Sequence, residues 1–128
     1  MSLVFVRSDL LPTVHERLIG SYGGLQGIRS DNGLESAVAG PRQFHNYTGE
    51  SRVGAIAASL AWALLRNYPF TDGNKRTALA AFVMSAQLNG HRLRCSEAEE
   101  TAMILKAAGA EISEEEWIAW ALCLVVPK

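Results

Sequence analysis

Eight consecutive residues, Pro69-Phe70-Thr71-Asp72-Gly73-Asn74-Lys75-Arg76, bring a glycine, a hard carboxylate and two cations to the place where a helical pattern resumes. Unpaired backbone N–H groups at a helix start, with the positive end of the dipole behind them, make an anion site. Gly73 lets the backbone approach a phosphate closely, and Lys75 and Arg76 add positive charge. Asp72 is an oxygen ligand of the kind that holds Mg²⁺ against nucleotide phosphates. These are the parts of a phosphoryl-transfer site. Glycine, asparagine and aspartate also cap helices with no ligand bound, so the residue types alone leave both readings open.

The elements that must carry this loop follow from periodicity. Between residues 51 and 66 the apolar positions Val53, Ile56, Ala57, Leu60, Ala61, Leu64 and Leu65 recur every three or four residues, which predicts a helix. Residues 67–74 break the pattern, and residues 75–88 resume it at Leu79, Phe82, Val83 and Ala86. The expectation is helix, tight loop, helix. Upstream, residues 3–6 read as a short edge strand, and a helix capped by Ser8 or Asp9 runs to about Ser21. Residues 34–39 read as one or two helical turns ended by Gly40-Pro41, leaving 41–50 as a loop or hairpin. Downstream, Asn89-Gly90 closes the helix in the left-handed conformation and residues 91–95 are extended. Ser96 and Ser113, each followed three residues later by glutamate, then cap two further helices, 97–108 and a last one through 117–125. The predicted fold is mainly α, a bundle of about six helices with one or two short extended segments.

The chain has 128 residues, 48% of them apolar and 20% charged, which predicts one globular domain over 1–128 and excludes disorder and fibrous repeats. Twelve basic against thirteen acidic side chains give a net charge of −1, too little positive charge for direct nucleic-acid binding or an acidic membrane surface. The apolar run at 117–127 is about half the length of a membrane span, and no secretory leader is visible at the N-terminus, so a cytoplasmic protein is expected. Cys95 and Cys123 form no disulfide framework, and His15, His45 and His91 have no second ligand at zinc spacing. His15 reads as a core or helix-surface residue. Trp62, Trp117 and Trp120 read as core.

The loop resembles the motif of the Fic/Doc family, His-x-Phe-x-Asp/Glu-Gly/Ala-Asn-x-Arg, at Phe70, Asp72, Gly73, Asn74 and Arg76. Residues 75–79, Lys-Arg-Thr-Ala-Leu, are more similar to the Doc branch than to the Fic branch. Tyr22-Gly23-Gly24, Gly27-Ile28-Arg29, Leu34-Glu35-Ser36-Ala37 and Pro41-Arg42 extend the likeness through the first half of the chain. Asn89-Gly90-His91 and residues 108–113 extend it through the second. The resemblance implies a Fic/Doc-type helical bundle and a toxin of a bacterial toxin–antitoxin pair. The implied activity moves the γ-phosphate of ATP, with Mg²⁺, to a threonine of elongation factor Tu and so inhibits translation. Fic relatives transfer AMP instead.

Within that resemblance, Lys75 stands where the Fic branch has a second glycine. Its side chain occupies space needed for AMP transfer while its charge suits terminal phosphate oxygens, so phosphorylation is expected over AMPylation. Leu79 stands where many Fic proteins carry a second arginine. The resemblance makes Phe70 the loop anchor, Asp72 the metal ligand, and Gly73, Asn74, Lys75 and Arg76 the phosphate-binding set. Arg66 is a further phosphate contact or a solvated helix end. Residues 41–50 correspond to a flap that aligns the target, with Phe44, His45 and Tyr47 as docking residues or an ordinary packed loop. Tyr68 stands where the family has its general-base histidine. About one phenol in a thousand is ionised at pH 7 against a reference pKa of ~10, so a site that binds nucleotide and turns over little is expected. Alternatives are a non-catalytic nucleotide- or protein-binding module of the same fold, an AMP transferase, and a purely structural bundle. Ser96 to Glu100 has the spacing of a self-inhibitory helix, but Thr101 follows where glycine or asparagine is required. Inhibition is therefore expected from a separate antitoxin chain, by an apolar helix laid into a groove.

Overall fold

A computed structural model describes residues 2–128. In chain order the elements are α1 (Leu10–Tyr22), α2 (Asp31–Thr48), α3 (Val53–Asn67), α4 (Asn74–Leu88), β1 (His91–Leu93), α5 (Glu97–Ala108), α6 (Glu114–Leu124) and β2 (Val125–Pro127). The architecture is the expected mainly α bundle. The two strands pair antiparallel, Leu93 opposite Val125, and close the chain's end against the turn that follows α4.

Helix α3 is the central pillar because its sequence is apolar nearly all round: Ala55, Ile56, Ala57, Ala58, Leu60, Ala61, Leu64 and Leu65 are all buried. A helix of that kind must be covered on every side. Helices α2, α4 and α6 supply most of the cover. Small residues let α6 come close, and a Cβ on Gly54 would stand 2.9 Å from the Ala121 carbonyl oxygen. Trp117, fully buried, donates its indole N–H to the Ala58 carbonyl at 2.9 Å and packs on Phe82 and Trp120. Two of the caps read from sequence hold: the Ser96 hydroxyl accepts from Glu99 N–H, and Ser113 forms a reciprocal capping box with Glu116. Asp9 stands at the start of α1 but makes no side-chain cap, because its carboxylate accepts from Arg7 instead.

Four further expectations need correction. Gly40-Pro41 does not end a helix; α2 continues through Pro41 to Thr48, so residues 41–48 are helical and not a loop or hairpin. An internal proline costs about 3 kcal/mol locally. Here Pro41 is buried, and α2 lies along α3 over an extensive interface, so packing overrides the local breaker. Residues 3–6 form no strand. They run as an irregular strap that the buried Asn89 amide clamps, accepting from Val4 N–H at 2.7 Å and donating to Val4 C=O at 2.9 Å. That use keeps Asn89 at negative φ, and Gly90 alone takes the left-handed conformation, φ 72°. Val125 leaves the last helix to begin β2, because its ladder partner Leu93 is in place.

Candidate active site

The loop between α3 and α4 starts at Tyr68, which caps α3 in the left-handed region (φ 45°, ψ 56°) with its N–H on the Leu64 carbonyl. A non-glycine residue rarely adopts this conformation unless its surroundings enforce it. Arg29 does so: its guanidinium donates to the carbonyls of Tyr68 (2.6 Å) and Asn67 (2.7 Å), placing a cation on the negative end of the helix. Residues 24–30 lie antiparallel against the loop. Arg29 N–H and Ser30 N–H donate to the Pro69 carbonyl, Ile28 bridges Phe70, and Thr71 N–H donates to the Gly27 carbonyl at 3.0 Å. Most of the polar groups of the ascending loop are thereby spoken for.

The turn itself is held from inside. The Asn74 side chain accepts from Phe70 N–H (3.0 Å) and donates to Phe70 C=O (2.9 Å), closing the loop like a staple at the first residue of α4. Phe70 is buried. The Asp72 carboxylate accepts from Gly73 N–H at 2.8 Å and from Leu25 N–H at 3.1 Å. Those two amides, Leu25 first, hold its carboxyl below the ordinary range, with the nearby Arg76 charge a lesser cause, so it is anionic at neutral pH. Two glycines combine positive φ with a side chain lying over the place of a Cβ. A Cβ on Gly24 would lie 2.7 Å from Asp72 Oδ2, and one on Gly73, at φ 74°, would lie 2.9 Å from Ile19 Cδ1.

Lys75 and Arg76 are exposed on the first turn of α4, at one end of an open groove of about 610 Å³ between α1, α4 and α5. Leu18, Leu79, Val83, Ile104 and Leu105 make its walls apolar. The Arg76 guanidinium rests over the Tyr22 ring, 4.5 Å from its centroid. Tyr68 is half exposed at the loop. Tyr68, Phe70, Asp72 and Gly73 lie on the loop, with Asn74, Lys75 and Arg76 following on the first turn of α4; of these Gly73, Lys75 and Arg76 line the groove, and Asn74 spends its side chain on the loop. Arg66 is elsewhere: its guanidinium stacks on Trp62 and donates to the Ala107 carbonyl, tying α3 to the end of α5. Phe44, His45 and Tyr47 occupy the last turns of α2, whereas the loop is touched by its first turn, where Asn67 donates to the Gly33 carbonyl. At 1.5 Å per residue that is roughly 20 Å away. The segment beside the loop is residues 24–30, not 41–50. Sequence reasoning missed Arg29, Leu25 and Ile19 as loop-holding residues; the glycine cluster at 23–27 was the one signal that the chain there serves a close approach.

The sequence matches the model of the Fic/DOC family over residues 5–86, the span that holds α1, the 24–30 segment, the loop and nearly all of α4. The chain belongs to the Fic/DOC family. Among characterised Fic/DOC proteins it is similar to "Protein kinase doc" of Escherichia phage P1, with 33% identity over 109 residues, covering 84% of this chain and 85% of that protein. It is also similar to "Toxin Doc" of Mycolicibacterium smegmatis, with 36% identity over 74 residues, 57% of each chain. The chain thus spans little more than half of the second relative and most of the first. Among the described residues no helix is long and apolar enough to cross a membrane, and no three acidic, histidine or cysteine side chains cluster as a metal site. Mg²⁺ in a nucleotide site needs no such cluster, since one carboxylate with substrate phosphates and water fills its coordination. The anionic, exposed Asp72 fits that role.

Proposed function

We propose that this chain is a Doc-like toxin whose loop binds ATP with Mg²⁺, a phosphotransferase scaffold acting on a threonine hydroxyl of elongation factor Tu. In this reading Tyr68, at the general-base position, leaves it with little or no turnover. The observation that carries the proposal is the loop geometry. Asp72 is kept anionic, Gly73 opens the start of α4, and Lys75 and Arg76 stand at the polar end of an apolar groove. When bound, Mg²⁺ would neutralise phosphate charge from its place on the Asp72 carboxylate. Lys75 and Arg76 hold the terminal phosphate oxygens, for which Arg76 leaves the Tyr22 ring. The acceptor hydroxyl must lose a proton as the bond to phosphorus forms. Imidazole takes it readily near neutral pH, whereas a phenol already carries its own.

The apolar walls of the same groove support an antitoxin that lays a helix there, and the chain would act in the cytoplasm. The second reading is a binding module of the same fold that never had transfer activity and uses the loop only to hold a phosphate. Restoring the base separates the two. Tyr68→His is expected to arrest growth when induced and to add phosphate, not AMP, to elongation factor Tu by mass spectrometry. A Tyr68→His protein that binds ATP but modifies nothing and leaves growth untouched would sink the toxin reading in favour of a binding module. An AMP adduct would overturn the Lys75 argument.

A further inference from the structure

Helix α1 presses on the loop through a residue the functional reading leaves unused. His15 is buried to 3% exposure and lies 57 residues from Asp72 in sequence, yet its Nε2 stands 2.7 Å from the Asp72 carbonyl oxygen. A carbonyl only accepts, so the ring nitrogen carries the proton and donates it. The imidazole also lies flat on Phe70, centroids 4.0 Å apart and planes within 7°. One helical turn on, Ile19 fills the space where a side chain at 73 would go.

We propose that His15 is a positioning residue that selects the orientation of the Asp72–Gly73 peptide, and with it the place at which the Gly73 N–H holds the Asp72 carboxylate. In a trans peptide the C=O and N–H point in opposite directions. Drawing the Asp72 carbonyl inward to His15 therefore turns the Gly73 N–H away from α1, where it meets Asp72 Oδ1 at 2.8 Å. A glycine at positive φ offers little resistance to the flipped alternative, so the choice has to come from outside the turn. The neighbouring peptides are set by others: Phe70 by the Asn74 amide, Thr71 by the Gly27 carbonyl. Among the described residues His15 is the one donor to the Asp72 carbonyl. Without it the peptide rotates, the carboxylate loses the Gly73 N–H, and Asp72 no longer holds its place at the start of α4.

The peptide geometry stands on its own, while its consequence for ligand binding rests on the nucleotide reading above. Two variants divide the roles of the ring. His15→Phe keeps an aromatic ring on Phe70 and removes the donor, and His15→Gln removes the ring and returns an N–H. In ¹⁵N spectra of the unaltered chain, His15 is expected as the Nε2–H tautomer. His15→Phe should retain a melting temperature near that of the unaltered chain, shift the Gly73 amide resonance, and weaken Mg²⁺·ATP binding about ten- to a hundredfold, as loss of a residue orienting a metal ligand does. His15→Gln should recover the resonance and most of the affinity. An Nδ1–H tautomer, or His15→Phe with an unmoved Gly73 amide and unchanged affinity, would overturn the proposal. Should His15→Phe fail to fold, the tautomer and His15→Gln decide the question by the same readings. If the unaltered chain binds no Mg²⁺·ATP, the nucleotide reading fails while the tautomer and the Gly73 amide still decide the peptide.

Discussion

The seam between α3 and α6 and the loop between α3 and α4 lie at different parts of the same helix and are held by opposite means. At the seam, Gly54 and the alanines of α3 admit the Ala121 backbone and the Trp117 ring, and shape does the holding. At the loop, the Asn74 amide, the Arg29 guanidinium, the His15 imidazole and the edge of residues 24–30 hold the backbone by directed hydrogen bonds. Apolar packing tolerates many sequences of similar volume, while a hydrogen bond fixes where one carbonyl or amide points. A site that must present particular N–H groups to a phosphate needs the second kind of support.

That contrast can be broken first at the seam. Trp117→Ala removes the largest buried side chain and should cost about 3–5 kcal/mol in denaturant unfolding, unfolding loop and core together. Gly54→Val forces a methyl group against the Ala121 carbonyl and should cost about 1–3 kcal/mol while leaving the loop's ligand affinity in the surviving folded fraction unchanged. A stability loss no larger than that of Gly54→Val, with a much larger functional one, is expected at the loop. Asn74→Ala orphans two backbone groups of Phe70, for about 1–3 kcal/mol, and should abolish detectable Mg²⁺·ATP binding. If Asn74→Ala binds as the unaltered chain does, directed bonds are not what shapes the site.

How much of this was legible in the sequence follows the same division. Local devices were readable because cause and effect sit within four residues: the Ser96 and Ser113 caps, the α3 stripe, the break at 67–74. The motif residues Phe70, Asp72, Gly73 and Asn74 were readable as a set, but the function of Asn74 as a staple to Phe70 was not, since an asparagine at a helix start also suits a ligand. Beyond its glycines the 24–30 segment gave no sign of being a support, because its bonds to residues 67–72 span about forty residues and half of them are backbone to backbone. Pro41 misled for the converse reason: a local rule was outweighed by α2 packing on α3.

The smallest effect expected is electrostatic and lies far from the loop. In the turn between α2 and α3, the Arg52 guanidinium hydrogen-bonds Glu50 and lowers its carboxyl from 4.5 to about 2. A carboxyl lowered on folding stabilises above its unfolded pKa, and that contribution is lost as pH falls from about 4.5 towards 2. Arg52 is largely exposed, so the pair contributes no more than about 1 kcal/mol. Glu50→Gln should flatten the acid limb of the stability curve by that amount and leave the loop's amide spectrum unmoved; movement there would show that the two regions are coupled.

The phosphate cradle itself is tested most directly by titrating Mg²⁺·ATP into ¹⁵N-labelled protein, with Tyr68 in place and with Tyr68→His. The account predicts that the amides of Gly73, Asn74, Lys75 and Arg76 shift saturably and alike in both proteins, with Trp117 and the α3–α6 seam unmoved. Loop amides that stay in place in both proteins at saturating nucleotide would contradict it.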